Sequence, residues 1–249
     1  MNVLDLFSGI GGFSLGLERT GGFRTVAFCE IDPYCRAVLR KHWPDVPIYD
    51  DVRTLTVERL EADGIGVDAI CGGFPCQDIS RAGNGAGIAG ERSGLWSEFA
   101  RLIGELRPRY AIVENVAALL DRGMGVVCGD LARLGYDAEW SVVSACAVGA
   151  PHMRQRVFIV AYPNGLDGRP RVRHPASRAY RPLQAVNGFA GSRARWRTRL
   201  ANPSALYGGA DGVPFGMDRN HAIGNSIVPA TSELIGRAIL AAEARVSAA

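Results

Sequence analysis

Apolar positions in the first 160 or so residues come in short, nearly continuous runs, each closed by an acid or a glycine turn. NVLDLF (2–7), RTVAFCE (24–30), VDAICGG (67–73), YAIVEN (110–115) and RVFIVAY (156–162) read as strands. Apolar residues on consecutive rather than alternate positions imply burial on both faces, which predicts a mostly parallel sheet between layers of helix. Two amphipathic stretches between the runs read as helices, one from SGIGG to about Arg19 and one over DPYCRAVLRKHW (32–43). In the second, Asp32 is placed to cap the N-terminus and Pro33 suits the first helical position. The expected fold class is α/β, a doubly wound and mostly parallel sheet. Ligands in such sheets bind beyond the carboxyl ends of the strands, where the acids and turns of this chain fall.

Residues 163–222 break this rhythm. The segment is rich in Arg, Gly, Pro, Ser and Asn, with Tyr180, Phe189, Trp196 and Tyr207 scattered through it. From Ala222 a helix is expected to resume, with Pro229 near its start, and to run through TSELIGRAILAAEAR (231–245). The organisation read from this is a main domain over 1–162, a small basic lobe over 163–222, and a C-terminal helix over 223–249 that completes the main domain.

Composition adds boundaries. With 47% hydrophobic and 21% charged residues, the 249-residue chain is an ordinary globular sequence. It has no run of about 18 apolar residues that would span a membrane. Its first residues read as a strand without a positive leader, so no cleaved secretory signal is expected. The cysteines at 29, 35, 71, 76, 128 and 146 form no CxxC pair or zinc spacing, and read as buried thiols in a reducing compartment. The net charge of +3 hides an asymmetry: 163–222 holds ten Arg against three Asp, a net of +7, which leaves −4 for the rest. Such a basic segment is the footprint of a nucleic-acid-facing surface, and equally of a solvated, arginine-rich loop. Composition does not separate the two.

The candidate chemistry begins with DLFSGIGGF (5–13), a strand feeding a glycine-rich turn that opens a helix. Glycines let backbone approach a ligand closely. The next strand ends in Glu30, where an acid binds ribose hydroxyls, and the third near Asp50-Asp51-Val52, where an acid can accept from an adenine amino group. The glycine spacing is GxGG rather than the GxGxxG of dinucleotide sites, so an adenosyl ligand is favoured over NAD. After VDAIC comes GGFPCQDIS (72–80). Cys76 follows Pro75 at a strand exit in a polar turn, a position for a reactive thiol, whereas Cys71 lies on the strand as a core residue.

Taken in order, DLFSGIGGF, Glu30, GFPCQ, Glu114-Asn115-Val116, Arg154-Gln155-Arg156 and Gly224-Asn225-Ser226 resemble the bacterial and phage cytosine-5 DNA methyltransferases. The resemblance extends over nearly the whole chain, and the Pro-Cys-Gln and Glu-Asn-Val pair is its most specific part. It implies a Rossmann-like S-adenosylmethionine-dependent catalytic domain and methyl transfer to carbon 5 of a flipped-out cytosine. Cys76 would be the nucleophile that attacks carbon 6, because carbon 5 is too weak a nucleophile to take a methyl group unaided. Glu114 would hydrogen-bond ring nitrogen 3 and the exocyclic amine, Arg156 would bind O2, and Arg154 would hold the active-site face. Phe7, Gly9, Ile10, Gly11, Gly12, Glu30, Ile31, Asp51, Val52, Pro75, Leu95, Asn225 and Ser226 would line the cofactor pocket. Gln77, Ser80 and Arg81 would meet DNA, and the glycine-rich stretch 81–90 would be the loop that closes over it.

The same resemblance implies double-stranded DNA as partner, a cognate restriction endonuclease in the same system, no metal, and a bacterial cytoplasmic setting, with the gene bacterial or phage-borne. A monomer is expected, with a dimer as the alternative. The chain departs from the family in the recognition region between Arg-Gln-Arg and Gly-Asn-Ser, which is short here. Within it Arg193, Arg195, Arg197 and Arg199 alternate around Trp196, as a strand face toward phosphates or guanine edges or as a basic loop. A short recognition site, or help from a second subunit, follows as a hypothesis. Three rivals stand beside this reading: a tRNA cytosine-5 methyltransferase with the same catalytic domain, an inactive DNA-binding relative, and an enzyme that transfers another one-carbon group. Pro-Cys-Gln-Asp matches the DNA branch better than the Cys-Phe-Thr of the tRNA branch.

Overall fold

The five predicted strands form, and each buries both faces. In β1 (Asn2–Leu6), Val3 points to one side of the sheet while Leu4 and Leu6 point to the other, all fully buried. The same division recurs in β4 (Ala69–Gly72) and in β5 (Tyr110–Val116), where Tyr110 and Ile112 face one core and Ala111 and Val113 the other. The computed structural model describes residues 1–75, 95–150, 152–164 and 226–247.

A seven-stranded sheet results, in the order β3-β2-β1-β4-β5-β7-β6, with β2 at Arg24–Cys29, β3 at Ile48–Tyr49, β6 at Tyr136–Ser144 and β7 at Gln155–Pro163. The strands from β3 to β5 are parallel. Strand β7 then pairs antiparallel with both β5 and β6. The run RVFIVAY is therefore a doubly buried strand as read, but antiparallel. Continuous burial reports what covers a strand, not which way it points. Sequence reading also passed over β6, whose Asp137, Glu139 and Ser141 interrupt its apolar positions at the sheet edge.

Helices cover the two faces. On one side, α1 (Gly12–Glu18) and the C-terminal helix α7 (Pro229–Ser247) contribute Phe13, Leu17, Ile235 and Ile239. On the other, α3 (Val57–Ala62), α4 (Trp96–Leu106) and α6 (Met124–Arg133) contribute Leu60, Trp96, Phe99, Leu102, Ile103, Val127 and Leu131. The short α5 (Leu119–Arg122) precedes α6. Helix α2 (Pro33–His42) starts as its sequence requires: the Asp32 side chain accepts from the amides of Tyr34 and Cys35, and Pro33 occupies the first turn.

The C-terminal helix begins later than the sequence reading placed it. Ser226–Val228 are not helical, and the helix starts at Pro229, whose ring is tolerated in a first turn but not further in. This segment and α7 press directly on α1. A Cβ on Gly12 would stand 2.4 Å from the Ile227 carbonyl oxygen, and one on Gly16 would stand 2.0 Å from both the Pro229 carbonyl oxygen and Ser232 Oγ. Glycine is required at Gly16 by this backbone-to-backbone approach. Gly16→Ala should cost about 1–3 kcal/mol as an overpacked contact. A lower urea midpoint with unchanged slope checks this, and an unaltered midpoint would refute it.

Candidate active site

Because β1, β2, β4 and β5 run parallel, their carboxyl ends gather at one edge of the sheet. The order turns from β1 toward β2 on one side and toward β4 on the other, which is where doubly wound sheets open a crevice. A cavity of about 670 Å³ lies there, within the size range of small-molecule sites.

Its first wall is the turn after β1. Phe7 takes a left-handed φ of 52°, which a residue with a Cβ adopts only when its surroundings impose it, and Gly9 follows at 54°. The constraint is visible in the bonds. The Gly9 amide donates to Glu30 Oε2 at 2.7 Å and the Asp32 amide to Glu30 Oε1 at 2.8 Å, while Ser8 Oγ donates to the Asp5 carbonyl at 2.6 Å. Glu30 thus clips the end of β2 to the turn after β1, with its carboxylate facing the cavity edge. Below it, Asp5 is fully enclosed and accepts from Ser14 Oγ at 2.6 Å. Burial pushes its carboxyl up from an ordinary 3.8 to about 7, against the lowering effect of Ser14.

The second wall follows β3. Asp51, Val52 and Arg53 line the cavity beside the exposed Ile31. Arg53 grips both Asp51 carboxylate oxygens, which holds that carboxyl below its ordinary range. Arg101 of α4 donates to the carbonyls of Val52 and Leu55 at 3.0 and 2.9 Å, fixing the loop to the helix.

The third wall is formed by the ends of β4 and β5 and the start of β7. Since β7 is antiparallel to β5, its first residues lie at the same edge as the last residues of β5. Val116 pairs with Arg156 and Glu114 with Phe158, so Glu114 and Arg156 are diagonal neighbours on one face. Arg156 Nε stands 2.9 Å from Glu114 Oε1. This ion pair joins the end of β5 to the start of β7. Glu114 is only 7% exposed. Burial raises its carboxyl from 4.5 to about 6, and the charges of Arg156 and Arg154 oppose the rise. Gly73 leaves room for it, since a Cβ there would fall 2.6 Å from Glu114 Oε2. On the opposite face Asn115 donates to the Phe74 carbonyl at 3.1 Å and ties β5 to the turn that leads through Pro75 into Cys76.

Of the residues singled out from sequence, Phe7, Gly9, Glu30, Ile31, Asp51 and Val52 line this cavity, together with Pro75, Leu95, Glu114, Arg154, Arg156 and Ser226. Ile10, Gly11 and Gly12 do not. Gly11 and Gly12 serve close packing instead, against Trp43 and against Ser226 and Ile227. Cys76, Gln77, Ser80, Arg81, Arg193, Arg195, Arg197, Arg199 and Asn225, with the stretch 81–90 and nearly all of the basic lobe, lie outside the described residues. Sequence reasoning missed Asp5, Arg53, Asn115 and Ile227. Asp5 and Asn115 lie inside motifs already singled out and Arg53 two positions after an acid already chosen, whereas Ile227 carried no signal.

The cysteines divide more than expected. Cys29, Cys35 and Cys71 are buried, Cys128 is half-buried, and Cys146 is exposed, contrary to the reading of the cysteines other than Cys76 as buried thiols. Cys146 sits in the short 3-10 turn after the edge strand β6. Among the described residues no group of His, Cys, Asp and Glu could hold a metal ion, and no helix is long and apolar enough to cross a membrane.

The high affinity of Asp5 for its proton has a consequence for stability. Between about pH 4 and about pH 7 the folded chain holds a proton that the unfolded chain has released, so stability falls as pH rises through this window. Asp5→Asn keeps an acceptor for Ser14 and removes the titration. Its thermal midpoint should fall less than the wild type's between about pH 5 and about pH 8. Parallel pH profiles for the two proteins would contradict the assignment.

The family model for C-5 cytosine-specific DNA methylase matches residues 1–191. The type II methyltransferase M2.BsuMI of Bacillus subtilis (strain 168) is 41% identical over 169 residues, covering 65% of this chain and 42% of its own length. M.DsaV of Dactylococcopsis salina is 32% identical over 65% of this chain and 46% of its own length. The chain thus spans less than half of each of these relatives. A DNA modification methyltransferase encoded within a prophage of E. coli has a crystal structure that superposes with a TM-score of 0.56 at 30% identity, over 66% of this chain and 47% of that one. The Spodoptera frugiperda DNMT2 structure, at 21% identity and a TM-score of 0.57, covers 68% of this chain and 52% of its own, and shows the shared fold. Motif order, the mixed sheet and the match over residues 1–191 agree: this chain belongs to the C-5 cytosine-specific DNA methylases.

Proposed function

We propose that the protein is a DNA (cytosine-5-)-methyltransferase that uses S-adenosylmethionine and forms a transient bond between Cys76 and the target base. The observation that carries this reading is the pairing of buried Glu114 with Arg156 in the same cavity as Glu30 and Asp51, on the strand that Asn115 ties to the approach to Cys76.

The residues present fit the cofactor. Glu30 offers acceptors to ribose hydroxyls, Asp51 an acceptor to the adenine amine, and Ile31 and Val52 apolar surface to the ring. Glu30, Asp32 and Asp51 give this end of the cavity an acidic lining, offset in part by Arg53 on Asp51, which suits a positively charged ligand. S-adenosylmethionine supplies a methyl group activated by a positively charged sulfur.

The chain's own residues then divide the work on cytosine. The base must leave the helix stack, because its ring atoms are unreachable within a duplex. The Cys76 thiolate adds to carbon 6 and forms a carbon–sulfur bond. Electron density moves to carbon 5, which takes the methyl group, and loss of the carbon 5 proton with expulsion of Cys76 restores the aromatic ring. Glu114 holds its proton more tightly than an ordinary carboxyl, so it can donate to ring nitrogen 3 as negative charge develops. Arg156 offers a fork of donors to O2. The curated relatives are named type II methyltransferases, which supports a cognate endonuclease as the biological partner.

Transfer of labelled methyl from S-adenosylmethionine to unmethylated duplex DNA, with bulk tRNA in parallel, tests the proposal. Label should enter DNA alone, and a duplex carrying 5-fluorocytosine should trap a covalent complex, since fluorine does not leave as a proton does. Cys76→Ala should lower transfer by at least about three orders of magnitude while S-adenosylhomocysteine affinity stays within about twofold. Persistent transfer in the alanine variant, or label in tRNA alone, would overturn it.

A further inference from the structure

The loop after β3 holds a pairing that the reaction does not require. Arg53 Nε lies 2.9 and 3.1 Å from the two Asp51 carboxylate oxygens, and its Nη2 lies 2.6 Å from Oδ2. The Arg53 amide also donates to Asp51 Oδ1 at 2.9 Å. A carboxylate has about four acceptor positions, and these contacts occupy most of them. The lone pairs left over are those turned away from Arg53. Asp51 and Arg53 both line the cavity, flanking Val52.

The loop itself is not free to adjust. Arg101 reaches from α4 to the carbonyls of Val52 and Leu55, and is braced on its own helix by Glu98 and Glu105 at 2.8 Å each. The backbone carrying Asp51 is therefore anchored by one arginine and its carboxylate oriented by another. A planar guanidinium gripping side-on fixes both the plane and the rotation of a carboxylate, which a lysine cannot do.

We infer that Arg53 is a specificity-determining positioning residue, which aims the free edge of the Asp51 carboxylate at the exocyclic amine of an adenine ring and thereby makes the cavity select 6-aminopurine ligands over 6-oxopurine ones. This rests on the reading of the cavity as an adenosyl site. A fixed, ionised acceptor rewards an amine donor and repels a carbonyl oxygen in the same place, because a 6-oxo ligand would set two acceptors against each other with no proton between them. An Asp51 carboxylate free to rotate could turn away from the oxygen and would discriminate less. The ion pair keeps Asp51 ionised, in line with its lowered proton affinity.

The test is calorimetric titration of the full chain with S-adenosylhomocysteine and S-inosylhomocysteine, which differ only at the purine N1 and position 6 edge: an acceptor N1 beside an amine in the first, a protonated N1 beside a carbonyl in the second. The wild type should prefer the adenosyl compound by at least about 100-fold. Arg53→Met keeps the apolar stem without the fork. It should weaken S-adenosylhomocysteine about fivefold, the scale of a partly exposed ion pair, and leave S-inosylhomocysteine within about twofold, so that the preference narrows. In turnover the same variant should raise KM for S-adenosylmethionine with kcat unchanged. Arg53→Lys should behave like Arg53→Met. Equal weakening of both ligands, tighter binding of S-adenosylhomocysteine, or full recovery with lysine would overturn the positioning role. A wild type that binds S-adenosylhomocysteine but does not prefer it to S-inosylhomocysteine would remove Asp51 as the reader of the amine, and the inference with it. A wild type that binds neither would refute the adenosyl site itself.

Discussion

A carboxyl group held out of water against a guanidinium on a reversed strand is the constraint around which this edge of the sheet is organised. Isolated, a buried Glu114 would be prohibitively costly to ionise. With Arg156 2.9 Å away it stays partly charged, and burial still lifts its proton affinity to about 6. Neither effect cancels the other, and that balance is what makes the group useful: a fully solvated carboxyl would be too acidic to donate near neutrality, and an unpaired buried one would rarely ionise. The pairing depends on topology. Were β7 parallel to β5, its first residue would lie at the far end of the sheet, and Arg156 would be a strand length from Glu114. The antiparallel return of β7 is thus what brings Arg156 to Glu114.

Much of this was legible in the sequence because burial on both faces leaves a trace that needs no partner to read. The runs around Leu4, Ile70, Ile112 and Ile159 are apolar at consecutive positions since each neighbour meets a different core. Asp32 and Pro33 announce α2 through purely local chemistry. What could not be read depends on contacts distant in sequence. The direction of β7 leaves no mark in composition. Strand β6, with polar residues at an edge, resembles a loop until β7 is laid beside it. Gly11 and Gly12 looked like ligand cradles, yet their neighbours are Trp43 and Ile227, respectively about 30 and more than 200 positions away along the chain. Ser226 to Val228 looked helical by continuation, but they form a non-helical approach to Pro229, and Ser226 and Ile227 supply part of the cavity wall.

The site reading has the same structure. Acids at strand ends were found because strand ends are found; Glu30 and Asp51 are of that kind, whereas Glu114 was singled out through the Glu-Asn-Val motif of the family it resembles. Arg101 was not, because a guanidinium on a distant helix has no fixed sequence offset from the carbonyls it holds, and Arg53, although local to Asp51, belongs to no motif that marks it. Asp5 was passed over as the first letter of a turn motif, although it is the most deeply enclosed carboxyl at the site, beneath the turn it supports through Ser14. Residues that touch a ligand tend to sit in motifs, whereas residues that orient those are scattered over the surrounding packing.

The charge layout of the cavity follows from this division. Asp5, Glu30, Asp32 and Asp51 collect around the turns after β1, β2 and β3, while Arg154 and Arg156 stand beside Glu114 at the start of β7. One end is acidic apart from Arg53 on Asp51, and the other is basic around a single buried acid. Two small positive ligands would compete for the first end and leave the second without purpose. On the proposed reading, a cationic donor and a neutral, acceptor-rich base attached to a polyanion would use both ends at once. The segment carrying Ser226 and Ile227 closes the wall between α1 and the Glu114 strand, so the last helix of the chain holds in place the junction where the two ends meet. Alignment of donor and acceptor in one cavity is thereby a property of the packing of α7 on α1, and the bare approach of Gly12 and Gly16 to that segment is what permits it.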